Sequence, residues 1–64
     1  MTREEAVYNA VEELFHSVNN LVVCAGDLEA MGLTGAGERM RRVIDELSEC
    51  GIDLAKMKSY KKRN

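Results

Sequence analysis

A chain of 64 residues with a net charge of −2 is long enough for one small domain and too short for an enzyme cleft or a second domain. With 45% hydrophobic and 31% charged residues it is neither disordered in composition nor a membrane protein, since no apolar run approaches the ~18 residues of a membrane span. Met1-Thr2-Arg3-Glu4-Glu5 lacks the apolar stretch of a signal peptide, so a cytoplasmic location is expected.

Thr2 followed by Glu5 has capping-box spacing, in which each side chain satisfies a free backbone N–H at a helix start. From there apolar residues recur at alternating intervals of four and three: Val7, Val11, Leu14, Val18, Leu21, Ala25 and Leu28. Tyr8, Phe15 and Val22 border this seam on one side, and Ala10, Cys24 and Met31 on the other, so the apolar face is broad. Gly32 favours the left-handed backbone that closes helices, which puts the end of helix 1 near Met31. Thr34 is suited to cap a second helix. Its expected seam runs through Ala36, Met40, Val43, Leu47, Cys50, Leu54 and Met57, with Ile44 widening it.

Gly26 and Gly51 interrupt these runs, each costing about 1 kcal/mol relative to alanine inside a helix. A third helix beginning at Asp53 is the alternative to two continuous helices, but the seam crosses both glycines in register. The expected fold is therefore all-α, a single antiparallel two-helix hairpin over residues 1–64. Helix 1 would span about 3–31, the turn 32–35, helix 2 about 36–60 and a basic tail 61–64.

Two helices leave a face this wide half exposed, and an identical hairpin offers the matching surface, so homodimerisation into a four-helix bundle is expected. The expected dimer core is Val11, Leu14, Phe15, Val18, Leu21, Val43, Leu47, Cys50 and Leu54. With the hairpins antiparallel about a twofold axis, Phe15, Val18 and Cys50 would lie near that axis, and Cys50 would face its own mate. Cys24 and Cys50 form no CxxC pair and are expected to be reduced.

Residues 1–32 carry one basic and six acidic groups, residues 33–64 eight basic and five acidic, giving −5 and +3. An antiparallel hairpin brings Glu4 and Glu5 toward Lys56, Lys58 and Lys61, and Asp27 and Glu29 toward Arg39, Arg41 and Arg42. Beyond this internal pairing, Arg39, Arg41, Arg42, Lys58, Lys61, Lys62 and Arg63 form a basic patch suited to a phosphate backbone or an acidic surface. His16 is the only histidine, so neither a metal site nor a cofactor is expected. No cluster suits catalysis.

The outer face of helix 1 carries Asn9, His16, Asn19, Asn20 and Val23, a stripe without charge in a charge-rich chain. Such a stripe suits recognition of another macromolecule. By architecture alone the chain resembles Rop, the RNA-binding hairpin dimer, and that resemblance implies RNA as a partner, although helix 1 supplies only Arg3 for it. The expected function is a small non-enzymatic regulator or inhibitor, of the kind phages and mobile elements encode, acting on a protein partner through the stripe. The alternatives are a nucleic-acid-binding regulator and a sponge holding a small signalling nucleotide between subunits.

Overall fold

In the computed structural model, which describes the backbone of residues 1–63 and the side chains of residues 1–57, the chain is two helices with no strand among the described residues. Helix α1 runs Arg3–Ala30 and α2 runs Thr34–Arg63, packed side by side in a hairpin about 49 Å long, 17 Å wide and 12 Å thick.

Helix α1 starts where the capping box places it. The Glu5 N–H donates to Thr2 Oγ1 at 3.1 Å, and the Thr2 N–H donates to Glu5 Oε1 at 2.8 Å. It ends in a Schellman motif: the Leu33 N–H donates to the Leu28 carbonyl at 2.9 Å and the Gly32 N–H to the Glu29 carbonyl at 3.0 Å. Gly32 sits at φ +86°, a conformation in which a Cβ would be strained. The turn is therefore Met31–Leu33, one residue earlier and tighter than the sequence suggests. Thr34 is already helical, and the carbonyl of Leu33 accepts the first bond of α2, from the Gly37 N–H at 3.0 Å.

Val11, Val18 and Ala25, spaced seven apart, lie on the line of α1 that meets α2. Val18 is 8% and Ala25 0% exposed. The facing line of α2 is Gly37, Ile44 and Gly51, all buried. This is one residue on from the expected Ala36, Val43 and Cys50, which are exposed. Small residues on both lines let the helices approach closely. A Cβ on Gly51 would stand 2.7 Å from Phe15 Cζ, so the Phe15 ring lies against the backbone of α2. Gly51 is a contact point inside an unbroken helix.

Candidate interaction surfaces

Glu29 and Phe15 fix the alignment of the hairpin. Glu29 lies over Gly37 and Phe15 over Gly51, so residues whose numbers sum to 66, as in these two pairs, are level across it. They also fix its two broad sides.

One side carries the lines Tyr8, Phe15, Val22, Glu29 on α1 and Arg41, Ser48, Ala55 on α2. It is held by a bidentate ion pair in which Arg41 Nε donates to Glu29 Oε2 at 2.7 Å and a terminal Arg41 nitrogen donates to Oε1 at 2.8 Å. Gly37 makes room for it, since a Cβ there would fall 2.6 Å from Glu29 Cγ. The hydrogen bonds from Arg41 hold the Glu29 carboxyl below its ordinary range, and the same bonds raise the Arg41 guanidinium. Both side chains remain solvent-accessible, so the pair orients the helix ends more than it stabilises them.

The opposite side is different in kind. Next to the contact lines stand Val7, Leu14, Leu21 and Leu28 on α1 and Met40, Leu47 and Leu54 on α2, all half-buried. Outside them come Ala10, Ser17, Cys24 and Met31 on α1, and Ala36, Val43, Cys50 and Met57 on α2, all exposed. Between residues 7 and 57 these lines hold no charged side chain. Val43 is 51%, Met57 45% and Met31 79% exposed. The hydrophobic residues buried by the hairpin itself, among those described, are Val18, Ala25 and Ile44.

The residues expected in a dimer core thus divide. Leu14, Leu21, Val43, Leu47, Cys50 and Leu54 lie on the uncharged side; Val11 and Val18 lie between the helices; Phe15 lies on the side of the ion pair. Cys24 and Cys50 are free thiols, both exposed in the hairpin.

The stripe Asn9, His16, Asn19, Asn20 and Val23 is exposed throughout, Val23 to 62%, on the surface of α1 turned away from α2. Of the basic patch, Arg41 is engaged by Glu29, while Arg39 and Arg42, three residues apart and so about 60° apart around the helix, are neighbours on the exposed outer face of α2. Arg41 alone stands apart, drawn toward α1 by Glu29. Lys58, Lys61, Lys62 and Arg63 lie outside the described side chains, as does the expected pairing of Lys58 and Lys61 with Glu4 and Glu5.

Among the described residues no group of three or more His, Cys, Asp or Glu could hold a metal ion, and no helix is long and apolar enough to cross a membrane. The chain matches no protein-family model, no curated protein and no solved structure.

Proposed function

We propose that the chain is a non-enzymatic regulator that acts in the cytoplasm as a homodimeric four-helix bundle and binds a protein partner through the outer stripe of α1. The observation that carries this reading is the uncharged broad side of the hairpin. Its half-buried Leu, Met and Val side chains are each worth about 1.5–3 kcal/mol between full exposure and full burial, and a lone hairpin realises only part of that. A second copy supplies a surface of the same shape and chemistry.

Dimerisation through that side leaves Asn9, His16, Asn19, Asn20 and Val23 outward, where amides, an imidazole and an exposed valine suit a polar protein surface. The engagement of Arg41 by Glu29 weighs against phosphate recognition by the α2 arginines.

Sedimentation at micromolar concentration tests the first half: a compact, stably folded monomer overturns it. For the second half, wild type and an Asn9→Lys, His16→Glu, Val23→Lys variant that still dimerises are compared as baits. The expected result is a stoichiometric, nuclease-insensitive protein captured by wild type and lost by the variant. Equal capture by both refutes the role of the stripe, and nucleic acid alone, released steeply by salt, refutes the protein partner.

A further inference from the structure

From the charge pattern along the uncharged side we infer that the two hairpins associate with both turns at the same end, so that each α1 lies on the α2 of the other copy. This rests on the homodimer reading above and specifies its interface. The area is sufficient: the uncharged side runs from Val7 to Met31, about 36 Å at 1.5 Å per residue, and at a width of 17 Å offers roughly 600 Å², each partner's share at the lower end of a standard-size interface.

Two identical hairpins can stack on this side in two ways. With the twofold axis parallel to the helices, α1 faces the partner's α2 and level positions are those whose numbers sum to 66. With the axis across the helices, α1 lies on α1 and α2 on α2, each pair reversed.

The chain's charge separates the two. The half containing α1 carries −5 and the half containing α2 carries +3, so the first arrangement stacks opposite charges and the second stacks like on like. The rim agrees. Asp27 and Arg39 lie on the outer edges of the uncharged side, too far apart to meet within one hairpin. In the first arrangement Asp27 is level with the partner's Arg39, twice per dimer. One like-charged meeting occurs in either case: Glu13 with the partner's Asp53 in the first, Glu46 with the partner's Asp53 in the second. The long-range term therefore decides, and it favours the shared end.

The two cysteines provide the test. In the second arrangement Cys50 lies near the middle of α2 and faces its own mate, whereas in the first it lies within one residue, about 1.5 Å, of the level of the partner's Ser17 on the facing uncharged line. Cys24→Ser leaves Cys50 as the lone thiol, and Ser17→Cys added to it creates the facing pair. Both variants are oxidised with copper phenanthroline as full chains, after sedimentation and circular dichroism have established dimer and helix content. The expected result is a disulfide-linked dimer from the Ser17→Cys variant and none from Cys50 alone.

A covalent dimer from Cys50 alone, or none from either variant although both sediment as dimers, overturns the arrangement and leaves dimerisation standing. A monomer overturns both. Asp27→Lys gives a readout free of thiols: it is expected to weaken dimerisation roughly threefold, and Arg39→Glu added to it to restore the affinity. Weakening without restoration refutes the pairing.

Discussion

Gly26 and Gly51 have the same helix propensity and opposite surroundings, so alanine at each position isolates the effect of close approach between the helices. Either substitution removes a penalty of about 1 kcal/mol for glycine in a helix interior. At Gly26 nothing lies within 4 Å of the new Cβ, so the full gain is expected, raising Tm by about 4–8 °C for a domain of this size. At Gly51 the new Cβ would stand 2.7 and 2.8 Å from Phe15 Cζ and Cε2 and 3.1 Å from Leu14 Cδ2. Ordinary carbon contacts are about 3.5–4.0 Å, so the ring has to leave the groove or the helices have to separate. Overpacking of this kind costs about 1–3 kcal/mol, and the net effect of Gly51→Ala runs from neutral to a loss of about 2 kcal/mol. Urea unfolding at one fixed protein concentration measures both, the fixed concentration keeping any contribution of self-association the same in each variant. Phe15→Leu in the Gly51→Ala background should recover part of the loss. Equal stabilisation by Gly26→Ala and Gly51→Ala would refute the close approach and, with it, the alignment of the hairpin.

Gly32→Ala places a Cβ on a residue at φ +86° and should destabilise the hairpin by about 1 kcal/mol, read as a lower urea midpoint, although nothing crowds the site. Thr2→Ala removes the capping oxygen and should cost about 1 kcal/mol locally, seen as faster amide hydrogen exchange at Glu5 with little change at Ile44. Because the Glu29 carboxyl is held low in the folded state, its contribution is fully present above its ordinary value near 4.5 and is lost as pH falls through the lowered one. The gap in stability between wild type and Glu29→Gln should accordingly exist near neutral pH at low salt, and close in acid.

The two helices and their antiparallel packing are legible in the sequence because the capping box, the interval of four and three, and Gly32 each act locally. The exact face of α2 is not. A search for apolar periodicity passes over glycine, so Gly37 and Gly51 do not register as core, and Ala36, Val43 and Cys50 take their place one position earlier. That is a rotation of about 100°. Met40, Leu47 and Leu54 belong to both patterns and conceal the difference. The exposure of Asn9, His16 and Val23 follows directly from the seam of α1, which the structure retains. The distinction between Arg41 and its neighbours could not be read, since it depends on the stem of Glu29 passing over Gly37 from the other helix.

The turn also governs which wrong structures the chain avoids. Were Gly32 to adopt helical angles, α1 and α2 would fuse into one rod, and such rods are a common route to strand exchange and open-ended polymers. Continued through the turn, the line of Val11, Val18 and Ala25 would reach position 32, whereas the contact line of α2 begins at Gly37. Five residues are about 140° of helix. The greasy edges of a rod would then be turned about 140° from one another, so that one straight neighbour could not lie along both. The phase jump built into the sequence at the bend is thus a safeguard against runaway assembly.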